Sequence, residues 1–336
     1  MKVPNLTVTN LYAPNLITGM KNRIINGGMD FSQRGASFAA IATNTYSLDR
    51  WLISYSGGMV TTVSQDTSLP STITNSEFQN CLKVAVTTAD TSITGSEYYT
   101  VEQKIEGYNV RDLINKTFTL SFWVRSTVTG TYCVSIRNSG ADRSILSTYT
   151  INAADTWEYK TITLYGGLIT TGTWNWTSGT GLDLSFALAC GPTYQAAANT
   201  WQSGNYFATS AQANAMSSTS NVFALTGVQL EKGEVATSYE HRLIGTELAL
   251  CQRYYEIFSL CGGAYSSGAG NITTGNSFYR TTKRGTPNVT FSSISYANCS
   301  TLTAQQINAN GFGYYCVTSG ISLISVIADV SVAAEL

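Results

Sequence analysis

Residues Thr117–Val124 read TFTLSFWV, and in them Phe118, Leu120, Phe122 and Val124 alternate with Thr117, Thr119, Ser121 and Trp123. A period of two with one apolar face predicts a half-buried antiparallel strand. Gly181–Ala189 (GLDLSFALA) repeats the pattern, with Leu182, Leu184, Phe186 and Leu188 opposed to Asp183, Ser185, Ala187 and Ala189. In Val222–Leu230 (VFALTGVQL) the apolar parity flips between Phe223/Leu225 and Val228/Leu230. Gly227 sits at the flip, which predicts a β-bulge. Short strands of this kind, separated by polar turns, are the spacing of an antiparallel β-sandwich.

Outward from these strands the pattern changes twice. Between Thr170 and Ser220 the chain is rich in Ser, Thr, Gly, Asn and Ala and reads as long loops at one end of the sandwich, apart from the strand at Gly181–Ala189. From Thr246 to Phe258, Leu248, Leu250, Cys251, Tyr254, Tyr255, Ile257 and Phe258 fill about half a helical circumference, which predicts one amphipathic helix laid on a core. Strand-like runs follow at Asn288–Ile294, Phe312–Val317 and Ile321–Val332, with Gly262–Gly275 read as a glycine-rich loop. A domain boundary is expected near Arg242–Gly245.

The first eighteen residues carry a pentad repeat in which Asn-Leu recurs at one offset, placing Leu6, Leu11 and Leu16 in register. So short a segment cannot bury these leucines alone, so it is expected to stack against copies in neighbouring chains or to serve as an attachment segment. The opening MKVPNLTVTN has no basic stretch followed by an apolar core, so no Sec-type signal is expected there. No apolar run approaches the length of a membrane span.

Only 12% of the 336 residues are charged, about half the usual share of roughly 25%. Ser, Thr, Asn and 29 Gly fill the gap. A net charge of −1 gives no basis for gripping a phosphate backbone, so nucleic acid is not an expected partner. The surface is therefore neutral and wet, or much of it is buried against other chains. Seven scattered cysteines without a CxxC pair read as free thiols, neither a disulfide framework nor a zinc site. His241 is the only histidine and reads as a polar residue at a domain junction. Asp183, Glu231 and Glu234 stand singly, with nothing to pair them for hydrolysis. No catalytic residue, metal site or cofactor is expected.

The aromatics carry more. Trp174, Trp176, Tyr194, Trp201 and Tyr206 cluster in neutral loops. Trp174 and Trp176 point the same way in an extended chain. Indole and phenol faces stack on the apolar face of a pyranose, and neighbouring amides and hydroxyls bond its hydroxyls. These five are the candidate ligand residues. Packing of the loops or of a subunit interface would use the same residue types. Trp123, on the outward face of its strand, is open to the same two readings.

Asn22–Gly35 (NRIINGGMDFSQRG) followed by Ser47-Leu48-Asp49-Arg50-Trp51 resembles the start of the sandwich domain of many bacteriophage tail fibre and virion proteins. Thr117–Arg125, Trp157–Leu164, Val228–Gly233 and Tyr239-Glu240-His241-Arg242 continue the resemblance in order. This region is similar to jelly-roll carbohydrate-binding modules. Glu247–Tyr255, Arg280-Thr281-Thr282, Thr286-Pro287 and a terminal Ala334-Glu335-Leu336 complete it. The resemblance implies a mainly β chain in three parts. Residues 1–21 would be an attachment segment, 22–244 a jelly-roll sandwich, and 245–336 a small β-rich domain with one helix. It further implies a homotrimer on the virion, joined to other virion proteins through its N-terminus and binding host-surface glycan without catalysis. A structural head-decoration, cement or baseplate protein is the alternative, and a glycan depolymerase the more distant one. Calcium-binding modules of this kind often carry acidic residues in the last strand. Thr226 and Gly227 stand there instead, which puts a calcium site in doubt.

Overall fold

The TFTLSFWV stretch forms part of the inner strand of a two-sheet sandwich. A computed structural model describes residues 20–70, 73, 77–167 and 171–336. Leu6, Leu11 and Leu16 lie outside the described residues.

The first sheet has the order β1 (Ser37–Phe38), β4 (Val60–Asp66), β5 (Cys81–Thr88), β13 (Val222–Lys232), β7 (Thr117–Ser126), β10 (Glu158–Tyr165). The second has the order β12 (Gln202–Ser203), β9 (Arg143–Ile151), β8 (Gly130–Asn138), β11 (Thr180–Cys190), β6 (Tyr98–Glu106), β3 (Leu52–Ser56), β2 (Thr45–Tyr46). All pairings between these strands are antiparallel. The alternating apolar residues face inward as expected: Phe118, Leu120, Phe122 and Val124 meet Leu182, Leu184, Phe186 and Leu188 in one core. Phe122 meets Phe186 edge-on at 5.0 Å, and the buried Trp51 lies beside Phe186 at 6.4 Å.

Strand β11 departs from the half-buried expectation. Its polar face, Asp183, Ser185 and Ala187, is buried too, while Ala189, past a register shift, joins the main core. The reason is a second layer: Phe207 and Ala208 pack with Cys133, Ala187 and Cys190 on the outer side of the seven-stranded sheet.

The bulge in β13 lies where the parity flips. Its register on β7 shifts between Thr226 and Gln229, and Gly227 has φ +61°. A Cβ there would stand 2.7 Å from the Phe78 ring. Gly227→Ala is therefore expected to lower stability by about 1–3 kcal/mol through combined φ strain and overlap. A thermal melt checks it, and an unchanged midpoint would show that the bulge relaxes freely.

The stretch that resembles phage virion proteins is built into the sandwich. The Asn22 amide donates to the Val228 carbonyl (3.1 Å), and its Oδ1 accepts from the N–H groups of Ile24 and Leu230. Gln103 bonds both backbone groups of Ile25. The Trp51 indole donates to the Asn26 carbonyl (3.0 Å). Arg242 donates to the Ile24 carbonyl and to Glu247. These side chains satisfy backbone groups in a segment that joins no sheet.

The helix α1 spans Ile244–Gln252, shorter than the periodicity predicts. Tyr255 already begins β14 (Tyr255–Ser267), whose aromatic and β-branched start pairs with β19 (Ile321–Ala333). With β16 (Asn288–Ala297) these form one three-stranded sheet, β14-β19-β16. A second has the order β15 (Ile272–Phe278), β18 (Gly311–Thr318), β17 (Cys299–Gln305). Leu260, Tyr279, Phe312, Val330 and Val332 form the small core of this C-terminal unit. Gly262–Gly275 is largely strand rather than loop. Its glycines make room for one ring: a Cβ on Gly262 or Gly275 would come within 2.7 Å or 2.4 Å of Tyr314.

The sandwich and the C-terminal unit meet through ionic contacts. Arg50 pairs with Glu335, and its guanidinium lies 3.6 Å over the Tyr254 ring. Arg34 bonds the other Glu335 oxygen (2.9 Å) and lies 3.6 Å over Tyr255. Glu106 accepts from Arg253 and from the Tyr254 hydroxyl.

Candidate functional site

Asp183 sits in β11 between two cations in cross-strand register, Lys104 of β6 and Arg137 of β8. Arg137 Nη2 donates to Asp183 Oδ2 (2.7 Å), Glu102 Oε2 (2.9 Å) and Ser185 Oγ (3.0 Å), while Nη1 donates to Asn205 Oδ1 (3.0 Å). The Phe207 ring lies 4.4 Å from this guanidinium. Asp183 and Glu102 are thus not single carboxylates but a pair sharing one Arg137 nitrogen. Burial, opposed by Arg137 and reinforced by Glu102, pushes the Asp183 carboxyl up to about 7. The folded acid keeps its proton to higher pH than the unfolded one. Stability from this group is complete near pH 4 and is lost as pH rises through about 7.

Two polar atoms here have no hydrogen-bond partner among the described residues: Asp183 Oδ1 and Arg137 Nε. The two atoms are themselves buried, but their residues line a cleft of about 240 Å³ on the outer face of the seven-stranded sheet, together with Asn44, Lys104, Asn138 and Asn205. Tyr98, stacked at 4.6 Å on the buried Phe207, forms its aromatic rim. Two carboxylates face two cations, so the cleft is balanced in charge when Asp183 is ionised. It offers acceptors, donors and ring surface together, the combination that suits a polyhydroxylated ligand of ring size.

The five aromatics singled out from sequence fall into separate places. Trp174 and Trp176 stack at 5.3 Å with planes 3° apart, and Trp201 meets Trp174 edge-on at 5.7 Å. All three pack against the main core. The Trp174 indole donates to Thr171 O and that of Trp201 to Tyr165 O. Trp201 and Tyr165 also line a groove of about 430 Å³ at the sandwich edge. Tyr194 packs behind the polar cleft, edge-on to Tyr98 (5.2 Å) and Phe207 (5.1 Å). Tyr206 lies beside Gly204, whose φ of +131° and missing Cβ admit the ring. The loop therefore sends Asn205 and Phe207 into the cleft. Sequence reasoning missed these two with Glu102 and Arg137. The available signal was charge inside strands, Glu102 in YYTVEQKIE and Arg137 in GTYCVSIRN.

His241 is exposed and lies beside Phe78 and Tyr239. Glu231 is tied to Gln229 and Thr237. Thr226 donates to the Asn80 carbonyl (2.7 Å). No group of three or more His, Cys, Asp or Glu positioned for a metal occurs among the described residues.

The fold and the cleft together define an antiparallel jelly-roll sandwich with a polar, aromatic-rimmed recess on one sheet. No protein-family model matches the chain, and no curated protein does. Solved structures it resembles include carbohydrate-binding modules and a phage tailspike domain. The family 11 carbohydrate-binding module of Clostridium thermocellum is 13% identical, covering 60% of this chain and 99% of that one, at a TM-score of 0.33. A putative sugar binding protein from Bacteroides thetaiotaomicron is 11% identical, with 63% and 100% covered, at 0.37. The enzymatically active domain of bacteriophage CBA120 tailspike protein 4 is 15% identical at 0.34, and the match covers 63% of this chain but only 21% of that one. At these scores the likeness carries no weight for function, which rests on the cleft.

Proposed function

We propose that this chain is a homotrimeric virion protein of tail-fibre or adhesin type that binds a neutral host-surface glycan without catalysis. The observation that carries the glycan reading is Asp183, a buried carboxylate that lines a charge-balanced cleft and has one oxygen without a hydrogen-bond partner among the described residues. A sugar hydroxyl would donate to the Asp183 carboxylate, Lys104 and Asn138 would bond neighbouring oxygens, and the ring would lie against Tyr98. Both carboxylates bond one Arg137 nitrogen, so they lie on one side of the cleft rather than flanking a scissile bond, which supports binding over hydrolysis. One such site is weak, and copies on one fibre multiply it. The Trp201–Tyr165 groove offers a further stacking edge.

Self-association is supported by the outward face of β14 and β19. Tyr265 and Leu323 are 69% and 73% exposed, with Ile321 and Ile327 beside them. The order of the virion-like motifs supports the placement on a particle. Packing of Trp174, Trp176 and Trp201 into the core favours the second reading, a structural head-decoration, cement or baseplate protein. Electron microscopy of labelled particles separates the two by outward or shell-bound position.

The glycan reading is tested on a glycan array, with any hit titrated by calorimetry from pH 5.5 to 8.5. A hydroxyl donated to Asp183 favours its ionised form, so binding releases a proton below pH 7. Affinity is expected to rise with pH through about 7 and then level off. Asp183→Asn should weaken binding about tenfold or more and flatten the profile, because a charge-assisted hydrogen bond becomes a neutral one. Unchanged affinity and an unchanged profile in Asp183→Asn would remove the cleft from the function.

A further inference from the structure

The opposite face of the sandwich carries a second cleft. Trp123 of β7 and its cross-strand neighbour Tyr159 of β10 project outward from the six-stranded sheet, ring centroids 5.3 Å apart and planes inclined by 50°. Phe78 and Tyr239 stand nearby, edge to face at 4.8 Å. These four rings, with Ser121, Gly227, Ser238 and Glu77, line a space of about 320 Å³. Gly227 keeps it open, since a Cβ there would meet Phe78 at 2.7 Å and Trp123 at 3.2 Å.

These aromatics differ from the loop tryptophans. Trp174, Trp176 and Trp201 pack on the main core, whereas Trp123 and Tyr159 do not, and Tyr159 is 45% exposed. Among the described residues, neither ring joins a buried core cluster. Among the described lining residues, the polar side chains are hydroxyls and one carboxylate, that of Glu77, and none is a cation. The recess therefore disfavours an anionic ligand and matches one with an apolar face and a hydroxylated edge.

We propose that this cleft is a second sugar-binding site, taking one neutral pyranose residue of a glycan. The proposal rests on the glycan-binding reading above and deepens it. The ring stacks on Trp123 or Tyr159, and its hydroxyls bond Ser121 and Ser238. Sites on opposite faces of one sandwich engage different strands of a glycan coat, so retention gains from effective concentration rather than from tighter single contacts.

The test is native gel electrophoresis of the full chain through gels containing neutral glucan, galactan or mannan. Acrylamide quenching of tryptophan fluorescence and light scattering are measured in parallel. Retardation by at least one glycan is expected. Tyr159→Ala, at an exposed position, should weaken that retention about 3–10-fold and abolish glycan protection from quenching. Asp183→Asn should weaken it separately, and the double variant should run freely. Trp123→Ala should match Tyr159→Ala if it folds. Retention unchanged in Tyr159→Ala overturns the second site while leaving the Asp183 cleft in place. A lower oligomer mass in Tyr159→Ala makes this face a subunit interface and also overturns it. No retention of the parent by any of the three glycans overturns both sites.

Discussion

Arg137→Ala is expected to destabilise the sandwich by about 3–5 kcal/mol, because it leaves two buried carboxylates without their counter-charge. The Arg137 side chain is nearly inaccessible, as are those of Glu102 and Asp183. All three sit on neighbouring strands at the centre of the seven-stranded sheet, so a shift that hydrates one must break ladder pairing. The loss should be greatest at pH 8 and shrink towards pH 5, where Asp183 takes up a proton and the repulsion falls. Urea denaturation at the two pH values measures it. Adding Asp183→Asn to Arg137→Ala should recover part of the loss, giving a coupling well above the scatter of independent sites. A loss below about 1 kcal/mol with no pH dependence would mean that the carboxylates are solvated and the ionic cluster is not a buried one. Glycan binding should disappear in Arg137→Ala at any pH where the protein remains folded.

Arg50→Ala is the second large effect, with about 3 kcal/mol expected from the broken buried pair and the lost stacking on Tyr254. Arg50 is 1% exposed, pairs with Glu335 and donates to the Lys104 carbonyl (2.5 Å). It fastens the chain's last residues and the start of β14 to the sandwich. The damage should therefore be local. Amide exchange should accelerate at Tyr254–Phe258 and Val330–Glu335, while β7, β8 and β11 keep their protection. Arg50→Lys should not restore the junction, since an ammonium cannot serve Glu335, the Lys104 carbonyl and the Tyr254 face together. Uniform exchange, unchanged from the parent, would show that Arg34 alone holds Glu335.

Strand existence was legible because burial of one sheet face writes itself as a period of two. Thr117–Val124 and Gly181–Ala189 lie within β7 and β11, and the Gly227 bulge lies at the parity flip. The helix end and the Gly262–Gly275 strands were not legible. Tyr255–Phe258 satisfies a helical period and a strand propensity at once, and only pairing with β19 decides between them. Glycines read as loop because their use, room for the Tyr314 ring, is a contact between distant strands.

The candidate clefts were less legible than the fold for the same reason. Aromatic loops at Trp174–Tyr206 are visible in sequence, but whether a tryptophan faces a ligand or the core depends on what lies beneath it. Trp123 and Tyr159 stand 36 positions apart and become one surface only when β10 pairs with β7.

The sparse charge and the alternating strands determined by themselves an antiparallel β-sandwich of low charge. They also left few charges to place, and the tertiary structure decided where those matter. Glu102, Arg137 and Asp183 are unremarkable in sequence and far apart. The order β8-β11-β6 puts them on one buried face, where low dielectric turns three ordinary side chains into a coupled cluster. Local pattern records which face of an element is buried, whereas a site is made by which elements become neighbours, and that is set by long-range packing.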